Sequence, residues 1–388
     1  MHRKAASPAD VTLKILKSQS VTDLERMIHD LALMKARSLD VWLSRDIGGQ
    51  FFKDARIVAL FAFAASKEMQ IRVIDWHSLL DDTELAERFG RTLEGIASLE
   101  YADKIVSAQK VGIDHRIRTL RQQVIEKNGI KSPESTAGKS LTFCAFDPEA
   151  PTPLEFASMN GKADFIKRFS YYRRECFEKG VGEGFSERLP ATIDHQLSSF
   201  AYELWENTLQ HGRLDETGRE LKGMRYLRVQ KYIDYNRAAF LKKAEGFTEL
   251  EQYLNKHVPE SGTFKFYEIS IADHGLGIVA RLLATRPEMA NILPMDSPED
   301  CINMIMDRAL SSKLSQAGAG HGLERALAAV RYLQGFVSLR SGSAWLYYAS
   351  EVQTPVGQRP KLTSVRFTEP LASIGTQLNL IFPLGSSS

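Results

Sequence analysis

An α/β fold in two parts is what this sequence predicts, and three observations carry the expectation. A strand, a helix and a second strand follow one another within 40–76, the pattern of a parallel βαβ unit. After a proline-rich stretch, strand patterns at 224–233, 263–272, 335–349 and 362–382 are interleaved with helical ones. The 388 residues are 43% hydrophobic and 25% charged, a globular composition long enough for two cores.

In order, Val11, Leu13, Leu16, Leu24, Met27, Ile28, Leu31 and Met34 recur at three- and four-residue steps, so the spacing predicts a helix over 10–37. Strands are expected at Asp40–Ser44 and Ile71–Trp76, around a helix at Asp54–Lys67. Charged helical patterns fill 83–128, Ser132–Ser140 reads as a loop, and Leu141–Phe146 as a strand. Three prolines within Pro148–Pro153 mark a boundary, which gives an N-terminal domain over 1–150. A linker helix lies within 151–184 and a C-terminal domain over 185–388. The linker helix carries Phe165, Phe169, Tyr172 and Cys176 on one face, suited to core packing or to a dimer contact. A long helix is expected at 193–211, a helical insertion at 236–257, a proline-broken helical stretch at 278–310, a loop at 311–320 and a helix to Leu333.

Fifty Lys and Arg against 48 Asp and Glu leave a charge of +2, so composition does not indicate nucleic acid. Cys144, Cys176 and Cys301 have no metal-like spacing, and a reducing compartment suits three scattered thiols. The longest apolar run, Ile57–Ala65, is too short to cross a bilayer, and the first residues lack a signal-peptide pattern. A cytoplasmic protein is expected.

Four short patterns carry chemistry. Glu203, Asn207 and His211 fall at four-residue steps on one helix and form a slanting stripe beside its apolar face. A solvated polar face is the plainer explanation of that stripe. Asp273-His274-Gly275-Leu276-Gly277 follows an apolar strand, a tight turn where backbone can approach a flat ligand. Gly275, Gly277 and Ala280 also fit a dinucleotide fingerprint, but Pro287, Pro294 and Pro298 leave no second strand ending near Asp296. Gly318-Ala319-Gly320-His321-Gly322-Leu323 runs into a helix, an arrangement whose N–H groups suit phosphate. Gly375-Thr376 opens the last strand. Gly138-Lys139-Ser140 is not a phosphate-binding loop, because Pro133 holds the place of its first glycine.

In this order the four patterns resemble the GHKL ATPases, over roughly 185–385. The resemblance implies a C-terminal Bergerat-type α/β sandwich that binds ATP with Mg²⁺. It implies Asp273 for the adenine amino group, Gly277 for space beside the ring and Thr376 in support. Asn207 would be the Mg²⁺ ligand, and Gly318, Gly320, His321, Gly322 and Leu323 would form a phosphate-holding lid. Glu203 would be the catalytic base of a slow ATPase whose nucleotide state governs lid closure and partner binding. A serine/threonine kinase of the anti-sigma type shares Glu203 and Asn207, and a non-hydrolysing, nucleotide-gated module is a further alternative. A protein partner is expected at the N-terminal domain or at 212–262, and a homodimer is an option. No phosphoacceptor histidine precedes the domain, and Lys313 reads as a solvated lysine. The N-terminal half resembles STAS-like modules through its βαβ pattern.

Overall fold

The structure, a computed structural model, describes residues 11–44, 50–75, 89–90, 92–107, 117–126, 130–135, 138–177, 189–310, 321–350, 360–367 and 374–384. It is mixed α/β, with one parallel and one antiparallel sheet.

The parallel sheet holds β1 (Val11–Ile15), β2 (Ser38–Leu43), β3 (Gln70–Asp75) and β4 (Lys104–Ser107) in sequence order. Between them run α1 (Val21–Leu33), α2 (Lys53–Ser66) and α3 (Leu93–Tyr101). Right-handed crossovers between sequential parallel strands put all three helices on one face. The strict alternation of β2 between buried and half-buried residues fits that single covered face. The helix expected over 10–37 is therefore a strand and a helix. Val11, Leu13 and Ile15 alternate by two, and Ser20 then caps α1 by accepting from the Asp23 N–H while Asp23 accepts from Ser20. β4 likewise lies inside a stretch expected to be helical; α4 (Ile117–Glu126) follows it.

The antiparallel sheet has eight strands in the order β11-β10-β9-β12-β8-β7-β6-β5. These are β5 (Ile130–Ser135), β6 (Gly138–Asp147), β7 (Gly223–Asp234), β8 (Phe264–Ala272), β9 (Phe336–Ser341), β10 (Ala344–Ala349), β11 (Thr363–Ser364) and β12 (Thr376–Leu384). Its front face packs on α5 (Lys162–Phe177), α6 (Ala191–His211) and α11 (Gly322–Tyr332) through Phe143, Leu227, Ile269, Leu339, Leu380, Phe169, Phe200 and Leu327. Its back face meets α1, α2 and α3, since Phe146, Met224, Tyr226 and Ala272 share a core with Leu24, Ile57 and Leu60.

Two expectations change here. The boundary at 147–153 falls inside one sheet: β6 pairs with β7 along nine residues, from Lys139↔Lys231 to Asp147↔Gly223. Residues 130–147 thus belong with the C-terminal half, and the expected loop at 132–140 is largely strand. The linker helix is one layer of the same half, with Phe165 and Phe169 buried and Arg173 paired to Asp194 of α6.

The insertion, α7 (Arg237–Leu241) and α8 (Thr248–His257), buries Phe240, Phe247, Leu250, Tyr253 and Leu254 against Phe52, Phe336 and Trp345. It completes the back-face core. The stretch 278–310 forms α9 (Ile278–Thr285), a 3₁₀ turn at Pro287–Asn291 and α10 (Pro298–Asp307). Its prolines do not loosen it. Pro298 sits in the first turn of α10, where its missing N–H costs nothing, and Ser297 caps that helix. Leu282, Met289, Leu293, Cys301 and Ile305 form its own small core. No helix among the described residues is long and apolar enough to cross a membrane.

Candidate functional site

The four chain segments that carry the sequence patterns meet at a cavity of about 640 Å³ on the front face of the antiparallel sheet. From α6 it is lined by Glu203, Glu206, Asn207, Gln210 and His211, so the stripe expected on that helix faces a hollow and not bulk solvent. Leu197, Phe200 and Leu204, one step round the helix, are buried in the core and fix its rotation.

The second segment is the turn after β8. The Asp273 carboxylate accepts the N–H of Gly275 at 3.1 Å and that of Thr376 at 2.9 Å, while the Asp273 N–H donates to Thr376 O at 2.9 Å. Burial pushes this carboxyl up to about 7, against the pull of both N–H donors. Backbone crowds it on two sides. A Cβ at Gly212 would sit 2.4 Å from the Asp273 side chain, and one at Gly375 (φ +69°) would sit 2.0 Å from Asp273 O. Gly277 (φ +84°) leaves a comparable gap, since a Cβ there would meet Ser341 Oγ at 2.8 Å. That hydroxyl accepts the Ile278 N–H at 2.8 Å and lies 3.3 Å from Thr376 Oγ1.

The third segment is the start of α11, which Gly322 places against α6. A Cβ on Gly322 would lie 3.1 Å from Asn207 Nδ2 and 3.6 Å from Glu203 Oε2. His321, at the N-cap, supplies no side-chain cap to the first N–H groups; its Nδ1 lies 2.9 Å from Glu324 Oε2. Thr376 is the fourth segment.

Cations flank the polar end. Lys162 Nζ lies 2.8 Å from Glu203 Oε1 and Arg325 Nη1 lies 3.6 Å from the same oxygen. Arg281 of α9 lines the cavity as well, with Nη1 donating to Asp215 O at 3.0 Å. The apolar remainder includes Ile271, Ile278, Leu282, Met306, Leu339 and Leu378. The hollow is thus part apolar slot and part charged mouth, with one carboxylate held by backbone at its inner wall. Such a space suits a flat, hydrogen-bonding ring joined to an anion.

Of the residues singled out in the sequence, Glu203, Asn207, Asp273, Gly277, Gly322, Leu323 and Thr376 line the cavity. Gly275 shapes the turn behind Asp273, and His321 turns toward Glu324. Gly318 and Gly320 lie outside the described residues, as does Lys313. Lys162, Arg325, Glu206 and Gln210 line the cavity without having been read from the sequence. Glu206 and Gln210 share the α6 face and form a hydrogen bond with each other, a signal that the helical stripe did contain. Lys162 gives none, being brought in only by the packing of α5 on α6. The competing dinucleotide fold needs parallel strands around its glycine turn, whereas β8 pairs antiparallel with both neighbours. Among the described residues, no three His, Cys, Asp or Glu side chains gather to hold a metal by themselves.

No family model, curated protein or solved structure matches this chain.

Proposed function

We propose that this chain is a cytoplasmic ATP·Mg²⁺-binding protein of the GHKL kind, a slow ATPase whose nucleotide state governs partner binding. One observation carries the reading: Asn207, Asp273, Gly322 and Thr376, far apart in sequence, line one cavity in a workable order. Asp273 and Thr376 stand at the end where an adenine amino group would find an acceptor. Gly277 keeps the neighbouring wall free of a side chain. Asn207 offers one neutral oxygen, which suits Mg²⁺ when phosphates and water supply its other ligands. The first N–H groups of α11 would receive phosphate oxygens, with Lys162 and Arg325 adding positive charge. ATP supplies the transferable phosphoryl group and Mg²⁺ neutralises its charge.

Glu203 Oε2, on the Gly322 side, is placed to accept a proton from water near that phosphate end. Its other oxygen is engaged by Lys162. That ion pair favours the second reading, a binding module that holds nucleotide without turnover, because it occupies a carboxylate oxygen that could take the proton. Thermal melting with and without ATP·Mg²⁺ tests the shared part of both readings, since selective binding to the folded state raises the midpoint. No response to any adenine nucleotide overturns them. Phosphate release then separates hydrolysis from binding alone, and label transfer to protein reports kinase activity.

A further inference from the structure

The sheet that forms the wall of the cavity is gripped from behind by the N-terminal helices. Successive residues of a strand point to opposite faces, and two neighbouring strands use this in register. Thr376 of β12 pairs with Ser341 of β9, and both face the cavity side; Gln377 pairs with Arg340, and both face the other way. Behind the sheet, Arg56 of α2 donates from Nη1 to Gln377 Oε1 at 2.5 Å, and Gln377 Nε2 donates to Ala55 O at 2.8 Å. Arg56 Nε lies 2.8 Å from Glu25 Oε1 of α1, and Arg340 Nε lies 3.2 Å from the same oxygen. The Arg56 guanidinium lies over the Trp345 ring, 5.1 Å from its centroid. Glu25, Arg56, Arg340 and Gln377 are all buried.

One carboxylate therefore serves two buried guanidinium groups. Replacing such a cluster with apolar residues is often neutral or stabilising, so its presence is poor evidence of a stability role. What it does supply is direction. An apolar contact tolerates sliding, whereas an amide held at both ends, its oxygen by Arg56 Nη1 and its nitrogen by Ala55 O, does not. From Gln377 the path to the cavity is one peptide long: the Thr376 N–H holds the Asp273 carboxylate, and the Thr376 hydroxyl lies by Ser341, which holds the Ile278 N–H.

We infer that Glu25 and Arg56 of the N-terminal helices are positioning residues for this cavity, acting through Gln377 and Arg340 to fix Thr376, Ser341 and Asp273. The N-terminal half thereby sets the affinity of the site for its ring-bearing ligand. The ligand's identity rests on the nucleotide reading; the positioning does not.

Two substitutions cut the link from opposite ends. Arg56→Lys keeps the charge but cannot reach Glu25 and Gln377 with separate nitrogens, and Gln377→Met keeps the shape but loses both amide bonds. Ile28→Val is the control, a loss of one methyl group from the buried face of α1, one turn from Glu25, that leaves every polar group of the network in place. Hydrogen exchange on the ligand-free protein reads the Ile278 and Thr376 amides, and calorimetry reads adenosine and ATP. Each of the two variants is expected to speed exchange at those amides and to weaken adenosine binding, each by about tenfold. Ile28→Val is expected to lower the melting point without either change. Unaltered exchange in both link variants overturns the positioning role, and so does an equal change in Ile28→Val. If one link variant does not fold, the other decides. Wild-type protein that binds no adenine compound ends the nucleotide reading instead, and the exchange measurement still settles the positioning.

Discussion

Lys162 Nζ lies 2.8 Å from Glu203 Oε1, so the first residue of α5 is tied to the middle of α6 beside the cavity that both line. Lys162 is part-exposed, and such a pair contributes at most about 1 kcal/mol to stability. Its value is in what the ammonium faces. Lys162→Ala is expected to leave the melting point within a few degrees and to weaken ATP about tenfold, as loss of one cation from an anion site would. Adenosine binding should be unchanged. Calorimetry with both ligands checks this, and equal weakening of the two would place Lys162 away from the phosphate end.

Glu203 and Asn207 are one turn apart, and the proposed function gives them different tasks. Glu203→Gln keeps the shape, so ATP should still bind within about threefold while phosphate release falls by about 100-fold or more. If Asn207 holds Mg²⁺ as proposed, Asn207→Ala should make binding itself lose its dependence on that ion. A magnesium titration of both variants separates them. Full phosphate release by Glu203→Gln would move the base elsewhere.

Asp273 gives the site a pH signature. Its carboxyl, pushed up to about 7 by burial, is protonated in part at neutral pH. The folded state holds this proton between about pH 4 and 7, where the unfolded chain has released it. Ionised Asp273 therefore costs the ligand-free protein stability as pH rises through that window, and nothing is lost below it. Asp273→Asn should flatten that slope in melting curves taken from pH 5 to 8. Adenosine, which has no phosphate to titrate, should bind more tightly at pH 8 than at pH 6 in the wild type, and without that trend in the variant.

Gly375 has φ +69° and no room for a Cβ beside Asp273 O. Gly375→Ala combines left-handed strain with a backbone overlap, a destabilisation of about 2 to 4 kcal/mol. Gly218, also at positive φ, has open space around it, so Gly218→Ala carries the strain alone. Denaturant unfolding of the two variants should show the larger loss at Gly375.

The start of α11 is the expected anion end. The Arg325 N–H donates to His321 O at 2.9 Å, and the Gly322 and Leu323 N–H groups come before that bond, at the open end of the helix. Their hydrogen exchange should slow in ATP·Mg²⁺ and less so in adenosine. Identical exchange in the two ligands would take the phosphates away from α11.

Much of the front of the molecule was legible in the sequence. The α6 stripe, the Asp273 turn and the entry to α11 are local patterns, set by helical period and by glycine, and each lies where its spacing put it. The N-terminal order was less so, because Leu13 makes a helical step to Leu16 as well as a strand's alternation with Val11 and Ile15, and only pairing with β2 decides between them. Lys162 and Arg325 reach Glu203 through packing between helices, for which a single sequence carries no sign. The back of the sheet was the least readable part. Glu268, Ser270, Arg340, Gln377 and Asn379 alternate with apolar residues as on a strand with one wet face, yet all five are buried. Periodicity records which residues share a face. Whether that face meets water or another layer depends on tertiary packing, and here α1 and α2 cover it and satisfy much of its polarity with Glu25, Arg56 and the backbone of α2.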